Sequence, residues 1–100
     1  MTNEYSPTVD FLIRLKKLDR AGLTVRDALV LYTIIHNPGI SGVHIADMVG
    51  AGNRSNIAFN VQRLAREGFI EDRRQQVGKA HPTMFHVLPA GLKFWNDLKP

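Results

Sequence analysis

Residues 40–74 are ISGVHIADMVGAGNRSNIAFNVQRLAREGFIEDRR, and their order decides the fold. Apolar side chains recur at helical spacing before Gly50-Ala51-Gly52 and again over residues 54–67. The glycines predict a tight turn between two helices, and Gly68 predicts the end of the second one. Phe69 and Ile70 begin a segment that is typical of a strand. The predicted order is therefore helix, turn, helix and strand.

The second helix of this segment, residues 54–67, is predicted to have two chemically different faces. At ~100° per residue, Val61 and its apolar neighbours fall on one side and the polar residues on the other. The inward set is Ile57, Ala58, Val61, Leu64 and Ala65. The outward set is Ser55, Asn56, Phe59, Gln62, Arg63 and Arg66. Cations, amides and an aromatic ring are side chains that contact the phosphates and base edges of DNA.

The rest of the chain predicts three more helices and a second strand. Ser6-Pro7 opens the first helix, which is expected to end before Gly22. Thr24 and Asp27 have the spacing of a capping box, which opens the second helix. Strands are predicted over residues 69–75 and 83–88, and Pro89-Ala90-Gly91 begins the last helix. With 100 residues, one domain is expected, divided into residues 1–22, 24–88 and 89–100.

The net charge is +4, and its distribution indicates where an anionic partner would bind. Residues 1–52 carry five basic and five acidic groups, which cancel. Residues 53–81 carry six basic and three acidic groups, and residues 82–100 carry two and one. Three of the four excess positive charges therefore lie in the second helix of the motif and the strand region after it, a distribution that suits a nucleic acid.

The composition argues against several other classes of protein. Without cysteine there is neither a disulfide framework nor a thiolate metal site, and the four histidines lack the close spacing of helical metal ligands. No nucleophile elbow or glycine-rich phosphate loop is present. No apolar run approaches the ~20 residues that span a bilayer, and the first residues do not resemble a signal peptide. We expect a cytoplasmic protein without catalytic activity, cofactor or metal.

Together these features resemble the winged helix-turn-helix regulators, most closely those of the MarR type. The resemblance covers residues 24–98 and rests on Ile45-Ala46, on LAREGFIE at residues 64–71 and on Leu88-Pro89-Ala90-Gly91. It implies an α+β fold, mainly α, with about five helices and a two-stranded β wing over residues 69–88. It also implies double-stranded DNA as the partner and a role in transcription, most often repression. It does not identify an effector ligand.

The resemblance makes residues 54–67 the recognition helix, inserted into the major groove, with the wing along the flanking backbone. Asn53 is expected to cap this helix. A solvated surface is the alternative for the polar residues, and a protein contact is the alternative for Phe59. The predicted DNA-binding residues are Arg54, Ser55, Asn56, Phe59, Gln62, Arg63 and Arg66 in the helix and Arg73, Arg74, Lys79 and His81 in the wing.

Two copies of the chain are expected to bind DNA together. The apolar residues of the first helix cover more than one stripe, which predicts a second surface to bury. This surface, with Phe94, Trp95 and Leu98, is the predicted homodimer contact. Two other functions are compatible with the same fold. One is a winged helix that binds a polypeptide, and the other is a DNA-binding component of plasmid or phage replication or partition machinery.

Overall fold

The computed structural model describes residues 6–74 and 82–99. These residues form five α-helices, a 3-10 turn at Arg54–Ile57 and a two-stranded sheet, so the predicted mainly helical α+β architecture is confirmed. The helices are α1 (Pro7–Arg20), α2 (Val25–His36), α3 (Gly42–Met48), α4 (Ala58–Arg66) and α5 (Pro89–Asp97). The strands are β1 (Ile70–Asp72) and β2 (Phe85–Val87). Lys79 and His81 lie outside the described residues.

The first two helices begin at the predicted caps. Ser6 Oγ accepts a hydrogen bond from Val9 N at 3.2 Å at the start of α1. Thr24 Oγ1 accepts one from Asp27 N at 3.1 Å, and the Asp27 carboxylate accepts one from Thr24 N at 2.8 Å. This reciprocal box satisfies two amides that the helix leaves without partners. Asp27 is also fully buried, which capping alone does not require.

The main hydrophobic core is built from α2, α3, α4 and the sheet. Its largest fully buried apolar side chains are Leu31, Ile34, Ile45, Ile57 and Leu64. The inward face predicted for the recognition helix is therefore confirmed at Ile57 and Leu64, and Ala58 and Val61 are half-buried. Ala65, predicted to be inward, is exposed.

The predicted recognition helix consists of two parts. Asn56 N donates to Asn53 O at 3.1 Å, an i to i−3 bond, and Ile57 has φ −114° and ψ 3°, outside the α region. The α-helix begins only at Ala58, because the backbone bends to place the Ile57 side chain in the core. The predicted cap, Asn53, makes no side-chain hydrogen bond to the helix. Its oxygen instead accepts the hydrogen bond of the Ser55 hydroxyl.

The two strands are antiparallel and shorter than predicted. Ile70 lies opposite Val87, and Asp72 lies opposite Phe85. Beyond the strands, Arg73 N donates to Met84 O at 2.8 Å, and the Asp72 carboxylate accepts the hydrogen bond of Met84 N at 2.9 Å. On its other edge Phe85 forms a bridge with Ile40, with Phe85 N donating to Ile40 O at 2.9 Å. The bridge joins the segment before α3 to the base of the wing, and the sequence did not indicate it.

Helix α5 begins in direct contact with the residue that precedes β1. Leu88 N donates to Phe69 O at 2.8 Å, and a Cβ on Gly91 would lie 2.2 Å from the same oxygen. Only glycine permits this approach. One turn later Phe94 stacks on Phe69, with ring centroids 4.8 Å apart. The close contact therefore fixes where the last helix lies against the wing.

The apolar surface near the chain termini differs from the predicted one. Leu98 is buried with Leu18 and Leu23 in a second, smaller core, and Phe94 packs on Phe69 within the chain. Leu98 is buried and Phe94 is half-buried because α5 packs back onto the rest of the domain. The exposed apolar side chains in this region include Val9, Phe11 and Leu12 of α1 and Val25, Leu29 and Tyr32 of α2. An apolar hollow of about 360 Å³ lies between these two helices and Trp95.

Candidate nucleic-acid interface

The outward face of α4 carries three exposed side chains of the predicted set, Phe59, Gln62 and Arg66. Phe59 is 78% exposed, although Ile57 and Leu64 on the opposite side are fully buried. A phenylalanine left in water forgoes roughly 1.5–3 kcal/mol of burial. A thymine methyl or an apolar side chain of a partner would supply that burial. The face therefore combines a cation, an amide and an uncovered aromatic ring.

The 3-10 turn before α4 presents Arg54, Ser55 and Asn56, all exposed as predicted. Asn56 Nδ2 donates to Ala51 O at 2.6 Å, and the Ser55 hydroxyl bonds to Asn53, so both side chains help to hold the turn. Arg54 lies across the first residue of α3. A Cβ on Gly42 would lie 3.1 Å from Arg54 Cδ and 3.2 Å from its Cγ, so this glycine leaves the space in which the arginine stem lies.

Arg63 is not a free member of the outward face. Its Nη1 donates to Asp27 Oδ2 at 2.7 Å, and its side chain is 36% exposed while that of Asp27 is 0% exposed. Helical periodicity places Arg63 at the edge of the outward face, from which its long side chain reaches α2. Arg63 is therefore half-buried, and its guanidinium is paired with a buried carboxylate that the sequence did not indicate.

The Asp27 carboxyl accepts three hydrogen bonds, from Thr24 N, Asn60 Nδ2 and Arg63 Nη1, and sequence reasoning predicted only the first. Burial alone would raise its pKa, but hydrogen bonds from the Thr24 amide, Asn60 and Arg63, together with the charge of Arg63, outweigh burial and lower the pKa below its usual value. The group is therefore ionised at neutral pH. Asn60 Nδ2 donates to Asp27 Oδ1 at 2.9 Å, and Asn60 is itself buried.

The described part of the wing pairs its cations with its own acids. Arg73 Nε donates to Glu71 Oε1, and Arg74 Nε donates to Asp72 Oδ2 at 2.7 Å. Both arginine side chains remain more than half exposed. Burial would raise the pKa of Asp72, but the Met84 amide and Arg74 outweigh it and lower the pKa below its usual value. The wing therefore presents two arginines that are paired but accessible.

A cleft of about 700 Å³ separates the recognition helix from the wing. Arg54 and Gln62 line it on the helical side, and Arg74 and Thr83 line it on the wing side. Thr83 Oγ1 accepts a hydrogen bond from Gly42 N at 2.7 Å, which ties the base of the wing to the start of α3. The fold thus brings two predicted arginines, far apart in sequence, to the walls of one cleft.

Arg26 is a candidate that the sequence did not reveal. It is exposed at the start of α2, and its Nη1 donates to Asn56 O at 3.5 Å, beside the 3-10 turn. Within residues 6–74 and 82–99, Arg26, Arg54 and Arg66 take part in no ion pair. No local motif could have identified Arg26, because only the packing of α2 beside the turn places it there.

Two further observations concern other classes of site. Among the described residues, no group of three or more His, Asp or Glu side chains is placed to hold a metal ion. No described helix combines the length and the apolar character needed to cross a membrane.

The described fold is that of known regulators. The chain superposes on disulfide-formed AbfR with a TM-score of 0.74, at 20% identity over 91% of this chain and 61% of AbfR. For the multiple antibiotic-resistance repressor MarR of Listeria monocytogenes 4b F2365, the TM-score is 0.73, at 16% identity over 91% and 59%. For the transcriptional repressor CouR, bound to a 23-mer DNA duplex, it is 0.70, at 20% identity over 91% and 63%. The predicted MarR-like winged-helix fold is confirmed.

No protein-family model and no curated protein matches this chain. The chain spans about three fifths of the length of the three solved structures, at 61%, 59% and 63%. At this level of identity the likeness shows the fold, and function is argued from the interface itself.

Proposed function

We propose that this protein binds double-stranded DNA in a sequence-specific manner and regulates transcription, most simply as a repressor. The observation that carries the proposal is the outward face of α4, where Phe59, Gln62 and Arg66 are exposed. Arg26 and Arg54 lie beside this face and form no ion pair with any described residue. In the proposed complex α4 lies in the major groove. The wing lies along the flanking backbone, with Lys79 and His81 as further predicted contacts.

The cleft between helix and wing supports this docking. A phosphodiester strand passes between the major groove and a wing on the flanking backbone. Arg54 and Arg74 line the two sides of the cleft, where that strand would lie. CouR, which has the same fold, is bound to a DNA duplex. A regulator of this kind acts at the genome, and we place it in the cytoplasm for that reason.

The proposal gives a quantitative expectation for salt. Five described arginines are available to phosphates in each subunit: Arg26, Arg54, Arg66, Arg73 and Arg74. At about −0.9 per phosphate contact, log K should fall with log salt at a slope of about −4.5 per subunit. Between 50 and 200 mM salt, affinity should then fall by about 10²- to 10³-fold per subunit.

Homodimerisation completes the proposal, because two weak half-site contacts reinforce each other on one duplex. The exposed apolar side chains of α1 and α2 around the hollow near Trp95 form the surface that we assign to the dimer. Two subunits related by a twofold axis would contact half-sites roughly 34 Å apart. Sedimentation of Phe11→Glu should show a monomer if this surface is used, since Phe11 is one of its most exposed residues.

Selection of bound duplexes from a random pool tests the proposed function directly. The wild-type chain should enrich one sequence family, and its affinity should show the salt slope given above. Arg66→Gln should lower affinity and reduce the slope by about 0.9. Arg20→Gln, a loss of the same charge at the end of α1, is the matched control and should change neither. Enrichment of no sequence would refute the proposal.

The exposure of Phe59 also favours a second candidate, a winged helix that binds a polypeptide through this face. The two candidates respond differently to salt. An aromatic contact with a protein loses little affinity as salt is raised, whereas binding to phosphates weakens steeply. A bound partner that is retained at high salt and lost in Phe59→Ala would favour the second candidate.

A further inference from the structure

A buried carboxylate joins α2 to the recognition helix. Asp27 Oδ1 accepts a hydrogen bond from Asn60 Nδ2 at 2.9 Å, and Oδ2 accepts one from Arg63 Nη1 at 2.7 Å. The same carboxylate closes the capping box of α2 through Thr24 N. One side chain at the fixed start of α2 therefore holds two residues on successive turns of α4. We call these three side chains, Asp27, Asn60 and Arg63, the polar clamp.

The clamp acts on the rotation of α4 about its own axis. Consecutive residues are about 100° apart around a helix, so Asn60 lies about 100° from Phe59, with Arg63 between them. A rotation of about 20° would move a side chain about 5 Å from the axis by about 2 Å. Hydrogen bonds to base edges tolerate only a few tenths of an ångström. Loss of the hydrogen bonds of the clamp would therefore change the direction in which Phe59, Gln62 and Arg66 point from α4.

Among the described residues, the side-chain hydrogen bonds at the start of the recognition helix hold the 3-10 turn and do not reach α4. Neither the 3-10 turn nor α4 has a side-chain cap, and Ile57, the last residue of the turn, lies outside the α conformation. Apolar packing of Ile57, Val61 and Leu64 holds the helix against the core, but such contacts tolerate sliding and repacking more than hydrogen bonds do. The clamp adds directional hydrogen bonds at Asn60 and Arg63, which are next in sequence to the exposed residues Phe59 and Gln62.

From this arrangement we infer that Asp27 is a positioning residue for DNA recognition, acting through Asn60 and Arg63. Arg63 serves the orientation of α4 and not phosphate binding, because its departure would leave a fully buried carboxylate without its cation. The inference rests on the proposed function. It adds that sequence discrimination depends on a residue that DNA cannot touch, since Asp27 is fully buried.

The test compares Asp27→Asn with Asp72→Asn. Both substitutions remove one negative charge from a carboxylate paired with an arginine, but only the first lies in the clamp. The probes are the duplex enriched by the wild-type chain and a scrambled duplex of equal length and composition. Each variant is measured at a temperature at which circular dichroism shows it fully folded. Asp27→Asn should lower the ratio of specific to scrambled affinity about tenfold, whereas Asp72→Asn should leave it within about twofold.

Two further variants keep the test decisive if Asp27→Asn does not fold. Asn60→Leu and Arg63→Met keep similar side-chain shapes, remove one arm of the clamp each, and should lower the same ratio. Arg63→Met should leave the salt slope unchanged. A slope reduced by about 0.9, with both duplexes weakened equally, would make Arg63 a phosphate contact and overturn the inference.

A readout without DNA separates positioning from simple stabilisation. In the free protein, amide hydrogen exchange of α4 should accelerate in Asn60→Leu relative to α1 and α5. Unchanged discrimination in all folded clamp variants would overturn the inference and leave the proposed function intact. If the wild-type chain enriches no duplex, the proposed function fails and this inference fails with it.

Discussion

The polar clamp and the wing use the same chemical pair in two different environments. Arg63 and Arg74 each donate to an aspartate at 2.7 Å, but the side chain of Asp27 is 0% exposed and that of Asp72 is 22% exposed. The third pair, Arg73 with Glu71, is exposed on both sides. Equal geometry therefore does not imply an equal role.

The difference lies in what happens when the arginine leaves. An exposed carboxylate exchanges its cation for water at a cost of about 0–1 kcal/mol, so Arg73 and Arg74 can turn to a phosphate. A buried carboxylate has no water to replace the cation, and breaking such a pair costs several kcal/mol. Burial thus separates arginines that hold the structure from arginines that are available to a ligand.

The largest effect is expected from removing the two aspartates. Asp27→Ala should lower the free energy of unfolding by about 3 kcal/mol, because it leaves Arg63 and Asn60 without their acceptor and deletes the capping box of α2. Asp72→Ala should cost about 1 kcal/mol or less. Urea denaturation at neutral pH measures both. Equal losses in the two variants would contradict the distinction between the pairs.

Acid should produce a smaller loss through the same group, because a protonated carboxyl still fits its site. The pKa of Asp27 is lowered in the folded protein, so the unfolded state, with a carboxyl pKa of about 3.9, binds the proton first. The ionised Asp27 carboxylate therefore makes its full contribution to stability above about pH 5. This contribution is lost as the pH falls through the pKa that Asp27 has in the folded protein. Thermal melts from pH 7 to pH 3 should show a flatter profile in Asp27→Asn. The pKa of Asp72 is lowered in the same direction, but its ion pair is more exposed, so Asp72→Asn should flatten the profile less.

In the wing the expected change is in DNA affinity and not in stability. The double variant Arg73→Gln and Arg74→Gln should weaken duplex binding about tenfold and reduce the salt slope by about 2, with an unchanged melting temperature. Lys93→Gln removes an exposed ion pair with Asp97 on α5 and serves as the control. Fluorescence anisotropy over a salt series gives both quantities. A large fall in melting temperature would mean that these arginines are structural.

The smallest effect is expected for Glu71→Gln. Loss of this exposed acid should change stability by less than about 0.5 kcal/mol. It should raise duplex affinity by about twofold, because Arg73 no longer has a competing carboxylate. The same anisotropy titration measures the change. Weaker binding in this variant would show that Glu71 orients Arg73 toward DNA.

Much of the fold was predictable because its signals are local. Ser6, Thr24 and Asp27 lie within three residues of the amides that they satisfy or that satisfy them, and the structure confirms both caps. The apolar spacing of Ile57 and Leu64 correctly predicted the buried face of the recognition helix. The 3-10 turn was missed because a bend caused by burial of Ile57 leaves no mark on the periodicity.

The candidate site was predictable in composition and less so in arrangement. Phe59, Gln62 and Arg66 are exposed as predicted. The roles of Arg63, Asn60 and Arg26 were not recognised, because their partners lie 36, 33 and 30 residues away in the chain. No spacing rule links a helix residue to an aspartate in another helix.

The sequence by itself determined the order of the elements, the caps of the first two helices and the apolar face of α4, since each depends on residues within about four positions of one another. Only the tertiary structure decided which arginines are paired with a buried carboxylate and which are accessible to a ligand. Packing of α2 against α4 excludes water from Asp27, whereas Asp72 and Glu71 stay in contact with it. The dielectric environment of each carboxylate determines how strongly it retains its arginine against a competing phosphate. That environment is set by elements far apart in the chain.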